Sequence, residues 1–194
     1  VTTEDVFQKC LHQYTITNAI TDKNVLRFKV EHYGNTDANG NPIKDPLNIK
    51  QIVKHILDNH NTLTGNRRFN ALLATPSIPE AIIFYDIFKE LQDALVKENP
   101  DYEPLNVTAV FTPPMRNNSD EDLPQEEADN QESPEENKSE LAKIIDDYNA
   151  KFGTNFSVDL FDEYYRDVQG RIKDQKYPNK DLPHGKKLDV VIVV

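Results

Sequence analysis

Apolar residues recur along this chain with two different periods. Leu26, Phe28, Val30 and His32 alternate with Arg27, Lys29, Glu31 and Tyr33, the period-two pattern of a half-buried strand. Phe69 to Ala74, Val107 to Phe111 and Leu188 to Val194 are brief apolar runs bounded by polar residues or proline. Each is too short for a helix of its own and is predicted as a buried strand. Between these runs the period becomes helical. Leu47, Ile49, Ile52, Val53, Ile56 and Leu57 predict one helix, with Asp45 and Pro46 as its N-cap and first residue. Ala81, Phe84, Ile87, Phe88, Leu91 and Leu95 predict a second, stopped at Asn99-Pro100-Asp101. Leu141, Ile144, Ile145 and Tyr148 predict a third, capped by Ser139 and ended at Gly153. Phe161, Tyr164, Tyr165, Val168 and Ile172 predict a fourth, capped by Ser157. A short helix over 4–14, with Val6, Phe7, Cys10, Leu11 and Tyr14 on one side, opens the chain. Residues 35–45 and 177–187 read as loops.

Strands that alternate with amphipathic helices imply right-handed crossovers and a parallel sheet, hence the α/β class. The organising stretch is Phe69 to Ala81. There a strand ends at Pro76, and Ser77 with Glu80 three residues on reads as a capping box for the next helix. Pro79 falls in the first helical turn, where an amide donor is expendable. Such a turn aims backbone N–H groups and the positive end of a helix dipole at the carboxyl edge of the sheet. That edge is where α/β sheets bind ligands.

Charge changes this picture only locally. The 194 residues carry 33 acidic and 22 basic side chains, a net charge of -11. Residues 119–140 hold ten of the carboxylates and a single lysine, so the remainder is nearly neutral and a nucleic-acid partner is not excluded. Residues 115–138 lack both periodicity and apolar anchors and are predicted as a disordered acidic insertion within one domain spanning 1–194. This segment reads either as a solvating loop or as a nucleic-acid mimic or gate near a DNA track; the solvating reading is favoured. Cys10 stands alone, which forbids an intrachain disulfide and suits a reducing cytoplasm. No apolar run has the length of a membrane span, and no signal peptide opens the chain. The final apolar run meets the last residue, which predicts an excised fragment.

Candidate chemistry is sparse. Neither GxxxxGK[ST] nor GxGxxG occurs, and none of the six glycines lies in a strand-to-helix turn. His55 and His60 lie five apart, off the spacing of a helical metal pair. Asp146 and Asp147 are adjacent and diverge around a helix, which makes them solvated surface charges. Arg67 and Arg68 precede their strand and read as surface charge at the opposite edge. The aromatic residues Tyr148, Phe152, Phe156, Phe161, Tyr164 and Tyr165 read as core. The candidate ligand contacts are Ser77, as a plain cap or as a hydroxyl on a phosphate, and Thr112, which follows the Val107–Phe111 run at the same edge.

Three patterns taken together resemble the restriction (motor) subunit of type I restriction–modification enzymes. They are Phe69-Asn70-Ala71-Leu72-Leu73-Ala74-Thr75 with Ile78-Pro79-Glu80-Ala81; Ile144-Ile145-Asp146-Asp147-Tyr148-Asn149 leading to Phe152-Gly153-Thr154; and Leu188 to Val194. Asn24 to Val30 is similar to that family's opening strand. The resemblance spans the chain and implies the second RecA-like domain of a helicase-type motor, a three-layer parallel sheet with helices on both faces that stops short of its C-terminal motifs. It implies double-stranded DNA contacts at Thr75, Ser77 and Thr112. No cofactor is expected in this fragment. ATP and Mg belong to the parent enzyme, where the resemblance implies that ATP sits between the two RecA-like domains and that the first of them, on the same chain, carries the phosphate loop and the magnesium-binding acidic motif. The implied partners are the modification and specificity subunits, and the implied location is cytoplasmic. The fragment by itself is expected to lack enzymatic activity. The alternative is a non-enzymatic α/β interaction module that recruits a basic partner through its acidic loop.

Overall fold

Three strands form because three apolar runs of four residues each find parallel partners: β1 (Ala71–Ala74), β2 (Val107–Val110) and β3 (Val190–Val193). The computed structural model describes residues 14–25, 34, 48–113, 132–172 and 186–194. Among these the strand order is β1-β3-β2, and both pairings are parallel. Parallel neighbours require crossover connections. The crossover from β1 to β2 is α3 (Ile78–Glu98); that from β2 to β3 contains α4 (Pro134–Phe152), a 3-10 turn (Val158–Leu160) and α5 (Phe161–Ile172). α1 (Ile16–Thr21) and α2 (Ile49–Leu63) precede the sheet. The expected α/β class with a parallel sheet is therefore present.

Two compact units divide the chain, Val1–Pro46 and Leu47–Val194. In the first unit α1 is closed by a reciprocal cap between Thr15 and Asn18. The predicted 26–33 strand and the 35–45 loop lie outside the described residues, as do residues 4–13 of the first predicted helix. The same holds for residues 115–131 of the acidic insertion and most of the 177–187 loop.

β3 is central, and Val190, Val191 and Ile192 are buried as a strand paired on both sides requires. β1 departs from its expected burial: Leu72 is 68% exposed and Phe69 64% exposed. The cause is position. β1 lies at the margin of the described sheet, and alternate side chains leave the core, which composition alone does not reveal.

Helix boundaries follow caps. α2 starts at Ile49, not Pro46, because Asn48 is extended and exchanges side-chain bonds with Gln51 in a full capping box. α3 starts where expected: Ser77 Oγ accepts the Glu80 amide at 3.3 Å, although Glu80 does not return the bond. α3 and α4 run alongside each other in the same direction, since Lys89 pairs with Asp147 while Asp86 lies within electrostatic range of Glu140 and Lys143. α4 begins at Pro134 rather than after Ser139, so the last part of the stretch predicted as disordered is helical. Its buried face runs Asn137, Leu141, Ile144, Ile145 and Tyr148. The first member of that stripe is polar, which hid the extra turn from the hydrophobic pattern. Gly153 ends the helix at φ 70, a left-handed conformation that glycine adopts without a Cβ clash. Ser157 makes no side-chain cap; it leads into the 3-10 turn, and α5 starts at Phe161.

The Ile144–Asn149 stretch acts as a staple. Asp147, read from sequence as solvated, accepts hydrogen bonds from Tyr85 at 2.8 Å and from Lys89 of α3. Tyr148 donates to Asp167 of α5 at 2.6 Å, and Arg171 holds the same carboxylate at 2.8 Å. Asn149 closes the turn after α4: its Oδ1 accepts the Phe156 amide at 2.8 Å and the Thr154 hydroxyl at 2.9 Å. One helical turn thus fastens α3, α5 and the following loop. The aromatic set does form core around it. Tyr148 and Tyr164 meet edge to face at 5.1 Å, with Phe152, Phe156 and Phe161 packed around them; Tyr165 is the exception, at 40% exposed.

Candidate nucleic-acid interface

Strand register sets the height of the turns. Ala74 of β1 and Val110 of β2 both pair with Val193 of β3. Thr75 and Phe111 therefore leave the sheet level with each other, and Thr112 follows one residue on. One strand separates the two turns, which sets them about 10 Å apart across the sheet. Thr75, Ser77 and Thr112 are thus brought to the carboxyl edge.

Their side chains are not equivalent. Thr75 is buried, its hydroxyl lies against the Val193 and Ser77 carbonyls at 3.1 and 3.4 Å, and its amide donates to Val193 at 2.8 Å. It shapes the turn. Ser77 is half-buried; its oxygen accepts the Glu80 amide, while its own hydroxyl proton can still be donated outward. Thr112 is also half-buried. The α3 N-terminus has a mixed character toward anions. Pro79 lacks an amide proton, and Glu80 places a carboxylate in the first turn, where it already interacts with the dipole. Anion binding here rests on hydroxyl donation and turn geometry more than on net charge.

The opposite, amino edge holds what the sequence reading missed. Arg67, expected as surface charge, is 1% exposed. Its Nε and Nη2 grip the two oxygens of the fully buried Asp189 carboxylate at 2.9 and 2.6 Å. The Asn106 amide donates to Asp189 at 2.8 Å, the Asn106 side chain donates to the Lys187 carbonyl, and the Lys187 ammonium donates to the Arg67 carbonyl at 3.0 Å. The ring of bonds is closed, and it joins the residues that lead into β1, β2 and β3. Two signals for it are present in the sequence. Gly65-Asn66 marks a left-handed turn, and Asp189 is the sole carboxylate in an otherwise aliphatic run, a place a charge occupies only when paired. Arg68 is exposed, as expected, with its guanidinium 5.8 Å from the Phe69 ring centre.

His60 adjoins this cluster. It is buried, its Nε2 has no hydrogen-bond partner, and burial lowers its pKa below 6.5, with the Asp189 charge opposing that shift and the Arg67 charge adding to it. A cleft of about 320 Å³ between α3 and α4 is lined by Tyr85, Phe88, Lys89, Asp147, Tyr148 and Phe152. Its buried polar groups are already bonded within the fold, Tyr85 to Asp147 and Tyr148 to Asp167. Among the described residues, no three His, Cys, Asp or Glu side chains gather as a metal site, and no helix is long and apolar enough to cross a membrane.

A parallel α/β unit with two level strand-end turns at its carboxyl edge is the class that fold and site define. Residues 67–194 match the family described as type I restriction enzyme subunit R domain 3. Over its whole length the chain is 33% identical to the type I restriction enzyme SauMRSORF196P endonuclease subunit of Staphylococcus aureus strain MRSA252, of which it covers 20%. It is 34% identical, over 78% of its length, to the SsaAORF53P endonuclease subunit of Staphylococcus saprophyticus, of which it covers 16%. The chain belongs to the family of type I restriction enzyme R (endonuclease) subunits. It spans about a fifth of the length of the first of these relatives.

Proposed function

We propose that this chain is the second RecA-like domain of a restriction-subunit motor that moves double-stranded DNA at the expense of ATP before endonucleolytic cleavage. In this reading the carboxyl edge grips the DNA backbone: the Ser77 hydroxyl donates to a phosphate, Thr112 contacts the backbone from the neighbouring turn, and Thr75 holds the Ser77 turn in place. The observation that carries the reading is the register, which sets both turns level beside β3. Sequence-independent contacts of this kind suit a translocase, which must grip any sequence in turn. The nearly neutral body is compatible with one contact edge among several domains.

ATP and magnesium enter through the whole enzyme. The two carboxyl-edge turns, Thr75-Pro76-Ser77 and Thr112-Pro113, contain proline and no glycine, so their residues do not fit a phosphate-cradling loop. The first RecA-like domain of the full-length subunit is assigned that chemistry. The modification and specificity subunits are the assigned partners, and the cytosol is the assigned location.

Ser77→Asp in the full-length subunit tests the contact. Aspartate caps a helix as well as serine does, so stability should change by less than about 0.5 kcal/mol. A carboxylate facing a phosphate should lower the translocation rate about tenfold, equivalent to roughly 1.4 kcal/mol. An unchanged rate on a stably folded Ser77→Asp protein reduces Ser77 to a cap. Ser77→Ala, measured by urea unfolding, should cost about 1 kcal/mol through the cap alone.

A further inference from the structure

The turn between α2 and β1 is unusual in its backbone. Gly65, Asn66 and Arg67 follow one another at φ 62, 59 and 60. Left-handed residues normally occur singly, and two of these three carry a Cβ that resists the conformation. Such a turn persists when its surroundings over-determine it. Here the surroundings are the closed ring through Arg67, Asp189, Asn106 and Lys187, together with the Thr64 hydroxyl, which accepts the Arg67 amide at 3.2 Å and donates to the His60 carbonyl at 2.6 Å.

The charges in that ring are unbalanced. Arg67 and Lys187 are buried cations, and Asp189 is the one buried anion; Glu103, 3.8 Å from Arg67, is mostly exposed. Asp189 faces His60 from the lead-in to β3, and Arg67 faces it from the turn. The imidazole Nε2 has neither acceptor nor water-accessible surface. A proton gained by this ring would bury a charge with no partner for its Nε2 donor, a desolvation cost that the nearby Asp189 carboxylate offsets only in part and the Arg67 charge adds to.

We propose that the amino-edge cluster is a proton-sensitive latch, which holds the α2–β1 turn closed while His60 is neutral and releases it when the imidazole is protonated. Release lets the imidazolium reach water and lets Asn66 and Arg67 leave the left-handed region. The sign follows from linkage. The closed state has a His60 pKa below 6.5, so the closed state is fully favoured above that pH and loses ground as pH falls through the lowered value. The α3 helix and the carboxyl edge lie outside the latch and stay closed over the same range.

Hydrogen exchange on the full-length polypeptide tests this, with rates corrected for the intrinsic effect of pH. Between about pH 7.5 and about pH 5.5, protection of a peptide covering 60–70 should fall about tenfold more than protection of a peptide within α3. In His60→Gln, which cannot take the proton, the two peptides should fall together. Equal behaviour of wild type and His60→Gln overturns the latch, as does uniform loss of protection across both peptides. Should His60→Gln fail to fold, the wild-type imidazole titration followed by NMR decides: a midpoint below 6.5 supports the latch and one at or above 6.5 overturns it.

Discussion

Asp189→Ala should destabilise the fold by about 3–5 kcal/mol, because it leaves the Arg67 guanidinium buried with its main anion gone. Both sides of this pair are out of water: Arg67 is 1% exposed and Asp189 0%. Truncation also orphans the Asn106 amide, which donates to the same carboxylate. The loss spreads further through the ring, since Arg67 is held in a left-handed conformation by bonds at both its side chain and its carbonyl. A contrast separates the effect of the buried charge from the worth of the pair. Replacing both partners at once, Arg67→Met with Asp189→Leu, should cost less than Asp189→Ala alone, because no uncompensated charge remains. Urea unfolding of the three proteins measures this. A cost below about 1 kcal/mol for Asp189→Ala would show that the ring contributes little to stability.

Tyr164→Ala should cost about 3–5 kcal/mol, the usual range for deleting a fully buried aromatic side chain. Tyr164 is 0% exposed and fills the space between α5 and the sheet. Its ring meets Tyr148 edge to face at 5.1 Å. Its hydroxyl donates to the Ala109 carbonyl at 2.7 Å and accepts from the Thr108 hydroxyl at 2.7 Å, so one phenol satisfies two groups of the β2 strand. Tyr164→Phe separates packing from hydrogen bonding. It keeps the ring and should cost about 1–3 kcal/mol through the unpaired buried Thr108 hydroxyl and Ala109 carbonyl. Unfolding midpoints that rank wild type, Tyr164→Phe and Tyr164→Ala in that order support this account; equal costs for the two variants would mean that packing is not what Tyr164 supplies.

Much of the architecture was legible because local patterns agreed with one another. Val107 to Phe111 and Leu188 to Val194 are strand-like in composition, length and punctuation, and both are strands. The Ser77 start and the Asn99 stop of α3 were legible because capping chemistry is local. Errors arose where a local signal had a rival nearby. Asp45-Pro46 is a good helix start, but Asn48 with Gln51 is a complete reciprocal cap three residues later. Ser139 is a plausible cap, yet Pro134 with Glu135 and Glu136 begins α4 earlier, behind a polar Asn137 that breaks the apolar stripe. The candidate interface was legible as a list of residues at strand ends. Its internal division of labour was not, since only the bonds to Val193 and Ser77 show that the Thr75 hydroxyl is turned to the main chain.

The amino-acid sequence by itself determined the period of each element, the caps that bound α3, the parallel α/β class and the resemblance to type I restriction subunits. These depend on neighbours within a turn or a strand, or on residue order along the chain. Tertiary structure alone decided which strand is central, that Arg67 lies inside the fold, that Asp147 and Tyr148 fasten neighbouring helices, and that the two carboxyl-edge turns stand level. Arg67 and Asp189 are 122 residues apart in the chain. No local pattern carries that distance; only the pairing of β1 with β3 brings a surface-looking arginine onto a buried carboxylate.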